Sequence, residues 1–157
     1  MKRVAIFTAA FLFFACSNEP KTNTVDKKEV KQEAANSSTK MYEGTGIGKF
    51  TNYPISSVLN GRLADAGEKV YLAKCQSCHK LTDEKLVGPG WKDVTKRFKP
   101  EWILNFITNT DEMLNKDEKA MELLKEANGV RMIVAPPVDE QEAKSLFEFM
   151  RKNDESK

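Results

Sequence analysis

The sequence is poor in the residues from which most metal and redox sites are assembled. Among its 157 residues there is one histidine, His79, and there are three cysteines, Cys16, Cys75 and Cys78. A structural zinc site asks for four ligands, as two cysteine pairs or as a cysteine pair with two histidines. One pair, one imidazole and a single remote cysteine fall short of that set. Long apolar runs are also lacking: the stretch Val4 to Ala15 has twelve residues, too few to span a bilayer. Excess charge is absent, with a formal net charge of +2, so nucleic-acid binding has no support. Sustained strand-type alternation is missing as well, and the apolar periodicity is helical.

What the chain does have is concentrated in one segment, Cys75-Gln76-Ser77-Cys78-His79. Cys-x-x-Cys-His is the attachment signature of a c-type haem. Two cysteines three apart can each add across one vinyl group of the same porphyrin, giving two thioethers. The adjacent histidine then lies under the ring and can bind the iron. The segment therefore calls for one covalent haem c, with His79 as the proximal ligand. A thioredoxin-like Cys-x-x-Cys would sit in a βαβ context, whereas the residues around Cys75 read as helix. A plain Cys75–Cys78 disulfide would leave His79 without a role.

The N-terminus reads as an address. Lys2 and Arg3 precede the apolar run, as in a secretory signal. Phe13-Phe14-Ala15-Cys16 resembles a bacterial lipobox. Residues 1–15 are therefore read as a lipoprotein-type signal peptide cleaved before Cys16, with Cys16 as a lipid anchor. The alternative is ordinary signal cleavage that leaves Cys16 a free thiol. Haem is attached to such motifs outside the bacterial inner membrane, so export is required in either case. Several acyl chains on one cysteine give stable anchoring where one would not.

Residues 16–48 read as a flexible tether. They are rich in Lys, Glu, Asn, Ser and Thr and cannot bury enough surface to offset the entropy of ordering. A coil of this length spans on the order of 30 Å, enough for a small domain to move between partners or to serve as a passive spacer. Residues 49–157 must then form one small domain with a single core.

Four helices are predicted in that domain. The first runs into Cys75 with Leu63, Ala66, Val70 and Ala73 on its apolar side. A second starts at Pro100, which suits a first helical turn, and buries Trp102, Ile103, Phe106 and Ile107. A third begins near Asn115 with Glu118 as its capping-box partner, turns Ala120, Leu123, Leu124 and Ala127 inward, and stops at Asn128-Gly129. The fourth begins at Asp139, with Glu142 three residues on and a stripe of Ala143, Leu146, Phe147 and Met150.

From about Leu63 to Lys152 the chain resembles the class I, single-haem cytochromes c. Gly67 and Tyr71 match that family's glycine and aromatic in the first helix, and Leu146 and Phe149 match the pair in its last helix. Gly88-Pro89 matches the loop after the haem motif. The resemblance implies an all-α fold of three to five helices around one haem, with the first and last helices crossing at the glycine. It also implies that the Pro89 carbonyl accepts a hydrogen bond from the free ring nitrogen of His79. It places the sixth ligand in the loop before the last helix, where Met132 stands; Met113 is the runner-up. His79 and Met132 would then be the two metal ligands. Met121 and Met150 fit apolar helix faces as packing residues.

Charge is divided along the domain: residues 69–99 hold eight basic and three acidic residues, and residues 100–157 hold eight and thirteen. Lys74, Lys80, Lys85, Lys92, Lys96, Arg97 and Lys99 could offer a positive rim to an acidic redox partner, or could form a mixed solvated surface.

These observations favour a non-enzymatic, membrane-tethered electron carrier in the bacterial cell envelope. It would face the periplasm from either membrane and exchange electrons with a donor and an acceptor protein. A relay subunit of a larger redox complex is the alternative, followed by a haem enzyme or gas sensor with an open iron position. A core this small gains much from a large apolar cofactor. A haem-free preparation is therefore expected to be poorly folded, and near-native helicity by circular dichroism would count against that expectation.

Overall fold

A computed structural model describes residues 40–156. The expected signal segment, Cys16 and the expected tether through residue 39 lie outside the described residues. Six helices are present among those described: α1 (Gly61–Lys74), α2 (Val94–Arg97), α3 (Pro100–Thr108), α4 (Thr110–Lys116), α5 (Glu118–Glu126) and α6 (Glu140–Glu155). The only β pairings there are isolated bridges. The fold is all-α, with six helices where three to five were expected.

α1 and α6 form the frame. The Asn60 side chain caps α1 by accepting from the Leu63 N–H at 3.2 Å, and its own N–H donates to Glu148 of α6 at 2.9 Å. Gly67 costs α1 about 1 kcal/mol of helix propensity relative to alanine. It is needed for packing, because a Cβ there would run into the backbone carbonyl of Ser145. The buried face of α1 is therefore Ala64, Gly67 and Tyr71. The predicted stripe was one position out: Leu63 and Val70 are half-buried, and Ala66 and Ala73 face solvent. α6 follows its sequence pattern, with Ala143, Leu146, Phe147 and Met150 all buried. Its start is a reciprocal capping box of Asp139 and Glu142, with bonds of 2.8 and 3.1 Å.

α2 was not anticipated. Its N-cap Asp93 sits at φ 54° and makes no side-chain cap. Asp154, at the far end of α6, supplies the acceptors instead: Oδ1 takes the Asp93 N–H at 2.7 Å, and Oδ2 takes the Thr95 N–H and hydroxyl at 2.9 and 2.8 Å. α4 and α5 replace the single predicted third helix. The break falls at Asp117, whose carboxylate caps α5 through the Ala120 N–H at 2.8 Å and also accepts from Trp102 Nε1 at 3.1 Å. Asp117, not Asn115, is thus the cap. α5 ends as predicted at Asn128 (φ 54°) and Gly129 (φ 77°). The Asn128 and Gly129 N–H groups return to the carbonyls of Lys125 and Leu124, the pairing of a Schellman motif.

The tether boundary also moves. Residues 42–48, assigned by composition to the tether, pack on the domain as a strap. The Tyr42 N–H donates to the Arg97 carbonyl at 2.8 Å, and the Tyr42 ring meets Phe98 and Trp102 edge-on. Fully buried Asn105 of α3 pins the strap, accepting from the Phe50 N–H and donating to the carbonyls of Thr45 and Phe50. The Ile47 N–H donates to Met113 Sδ of α4 at 3.0 Å. Composition gave no sign of this, because backbone groups make most of these bonds.

Gly67→Ala is expected to destabilise the fold by about 1–3 kcal/mol, since the helix crossing must open to admit the methyl group. Denaturant unfolding would measure this. A gain in stability, as helix propensity alone predicts, would show that the crossing is looser than described.

Candidate haem site

α1 delivers the Cys75–His79 segment. The helix ends with the Cys75 and Gln76 N–H groups both reaching the Tyr71 carbonyl, and the chain then turns so that the His79 N–H meets the Cys75 carbonyl at 2.9 Å. The Tyr71 hydroxyl donates to the His79 carbonyl at 2.8 Å and fixes the far end of the motif to α1. The following loop folds back on the motif through the Gly88 N–H to the Cys78 carbonyl and the Trp91 N–H to the Lys80 carbonyl. This brings the Pro89 carbonyl to 2.8 Å from His79 Nδ1.

A carbonyl can only accept, so Nδ1 carries the proton and Nε2 keeps its free lone pair. Burial lowers the His79 pKa below its ordinary value, partly opposed by the Pro89 bond, so the ring is neutral at pH 7. Gly88 lies directly against the imidazole, and a Cβ there would collide with Cε1. Trp91 packs beside the ring at 5.5 Å between centroids and touches Tyr71 at 5.1 Å. Trp91 was not picked out from the sequence, although an aromatic directly after Gly88-Pro89-Gly90 was a signal to find it.

Cys75, Cys78, His79, Pro89 and Met132 all line one cavity of about 330 Å³. Its walls are apolar and come from α3, α5 and α6, with Val94 of α2 and Leu114 of α4. Phe106 and Ile107 of α3 and Leu123 and Leu124 of α5, predicted as core, are half-buried because they face this space. Met150 of α6 lines it too. Met113 does not: it is fully buried in the core with its sulfur accepting from the strap.

The residues fit a covalent haem. Both thiols are unpaired, and burial pushes the Cys75 thiol up to about 11. A redox-active Cys-x-x-Cys needs a lowered thiol pKa, so that reading loses support. Apolar walls suit a porphyrin face, and the oriented imidazole offers Nε2 to an iron. No cluster of three or more His, Cys, Asp or Glu side chains suited to a bare metal ion occurs among the described residues.

Five of the seven cations in residues 74–99 pair with carboxylates. Lys74 pairs with Glu142, Lys80 with Glu84, Lys92 with Asp83, Lys96 with Asp93 and Lys99 with Glu43. Lys85 and Arg97 donate to the carbonyls of Glu126 and Gly90. None of the described helices is long and apolar enough to cross a membrane.

Comparison with known proteins points the same way. Residues 62–150 match the family described as cytochrome C oxidase, cbb3-type, subunit III. A cytochrome c from Rhodothermus marinus is 29% identical, with 70% of this chain and 92% of that one covered and a TM-score of 0.65. An engineered form of that cytochrome, Rma TDE, is 30% identical over 69% and 91% of the two chains, with a TM-score of 0.64. The same engineered protein bound to a carbene intermediate is 28% identical over 69% and 91%, with a TM-score of 0.61. No curated protein sequence matches the chain.

Fold and site together define a single-haem c-type cytochrome of class I. The chain belongs to the family of the cbb3-type cytochrome c oxidase subunit III domain; it carries one covalent haem c and serves haem-based electron transfer. A cytochrome of this kind holds its haem in the periplasm or outside the cell.

Gly88→Ala is expected to push the imidazole off its Pro89 bond. The measured outcome should be less haem per protein and a shifted ferric spectrum. Unchanged haem content and spectrum would show that the contact at Gly88 is not limiting.

Proposed function

We propose that this domain is an electron carrier whose haem is held by thioethers to Cys75 and Cys78 and whose iron is closed by His79 and Met132. The observation that carries the reading is the His79–Pro89 hydrogen bond, which leaves Nε2 as the free imidazole nitrogen in a cavity that Met132 also lines. When bound, the haem supplies one-electron ferric/ferrous chemistry. Pro89 sets the tautomer of His79 and raises its basicity as a ligand. Met132 brings a soft thioether that favours the ferrous state and raises the reduction potential. With His79 and Met132 as its two protein ligands, the iron would be closed to substrate, and the chemistry the haem would supply is one-electron transfer.

Cys16 is proposed to carry the lipid anchor after loss of residues 1–15, holding the domain at the periplasmic face of a bacterial membrane. Donor and acceptor proteins would meet a surface on which five of the seven cations of residues 74–99 are paired with carboxylates. That surface supports partner exchange with little dependence on ionic strength, because exposed paired charges project weak fields. The second reading, a fixed relay subunit, draws its support from the family description, which names a subunit of an oxidase complex. Co-purification through mild detergent separates the two, because a carrier leaves its partners and a relay subunit stays with them.

Met132→Ala is expected to abolish the methionine-to-ferric-iron charge-transfer band, lower the reduction potential and open the ferrous form to carbon monoxide. Retention of the band would transfer the ligand role to another residue.

A further inference from the structure

Met132 sits in the segment between α5 and α6, and little in that segment holds it. No backbone group from Met132 to Pro136 hydrogen-bonds to any other described residue. Of the apolar side chains beside it, Ile133 is 86% exposed and Val130 52%, and Val134 alone packs, partly buried, against the core. The segment is fastened near its two ends. At the far end Lys74 Nζ reaches the Pro137 carbonyl at 3.4 Å and Val138 is buried. At the near end stands Arg131, the residue next to Met132. Its Nη2 donates to Asp111 Oδ1 at 3.0 Å and to the Asp111 carbonyl at 3.5 Å, and its Nη1 donates to Asn115 Oδ1 at 3.2 Å.

We propose that Arg131 is a positioning residue that seats Met132 over the iron by clamping the ligand segment to α4; this rests on the reading of Met132 as the second axial ligand. Asp111 and Asn115 are four residues apart, so they share one face of α4 and present two acceptors to one planar guanidinium. The opposite side of α4 is fixed by buried Met113, whose Sδ accepts from the Ile47 N–H. The clamp thus connects the N-terminal strap, through α4, to the residue beside the ligand. A lysine in place of Arg131 would keep the charge but lose the two-armed fork. Without the clamp, the state in which the thioether has left its place is more populated, and an external ligand binds in proportion to that population.

The test uses the haem-loaded protein in its ferric form with imidazole as the external ligand. The variants are Arg131→Lys, the double variant Asp111→Ala with Asn115→Ala, and Glu112→Ala as a control on the same helix. Glu112 pairs with Lys116 and Asn109 but not with Arg131. Arg131→Lys and the double variant should each raise the apparent imidazole affinity about twofold to threefold, the scale of a two-armed pair whose carboxylate is exposed. The control should stay at the wild-type value. Wild-type affinity in both clamp variants, with the methionine–iron band present, overturns the clamp while leaving the ligand reading intact. An equal rise in the control also overturns it, by showing that any weakening of α4 suffices. Persistence of the band in Met132→Ala overturns the ligand reading and the clamp with it. Should the double variant fail to fold, Arg131→Lys, which leaves α4 untouched, decides the question.

Discussion

At Gly67 the backbone of α1 lies against the Ser145 carbonyl of α6, with no side chain between them. One turn further along α1, Tyr71 meets Phe149 at 5.4 Å and Trp91 at 5.1 Å, and its hydroxyl holds the His79 carbonyl. One more turn brings Cys75 to the cavity. On the α6 side the same crossing sets Leu146 and Met150 into the cavity wall and Glu148 against the start of α1. A wider separation of the two helices would move the two thiols, the imidazole and one wall of the pocket together.

The rest of the domain is organised by buried polar groups whose partners are largely backbone. Asp154 caps α2, Asp117 caps α5 and receives the Trp102 indole, and Asn105 closes the strap onto α3. Buried carboxylates and amides persist when their hydrogen-bonding capacity is met, and here each also fixes where a neighbouring segment begins or ends. Between them the aromatic side chains form a continuous layer, with Phe98 stacked on Trp102 at 4.3 Å and Trp102 against Phe106 at 5.1 Å. That layer stops at the cavity. The apolar faces of α3 and α5 are complete helical stripes with no protein opposite part of them, as a core shared with a flat cofactor requires.

Local signals were legible wherever the bonding partner lies within a few residues. The capping box at Asp139 and Glu142, the start of α3 at Pro100 and the stop at Asn128-Gly129 are of this kind. α2 was not legible, because its cap comes from a residue 61 positions away. The split into α4 and α5 was missed because Asp117 serves two partners, one of them an indole on another helix. The α1 stripe was misplaced because a glycine looks polar to a periodicity count yet marks the closest contact of the helix.

The covalent chemistry of this protein was determined by its sequence alone, because two thiols and the only imidazole stand within five consecutive positions, close enough to serve one porphyrin whatever the fold. The hydrogen bond that orients His79, the withdrawal of Met113 from the cavity and the contacts that Arg131 makes on α4 were given only by the tertiary structure. Each depends on bonds between residues that chain connectivity leaves far apart. The Pro89 carbonyl fixes His79, the strap removes Met113 into the core, and α4 carries the acceptors for Arg131.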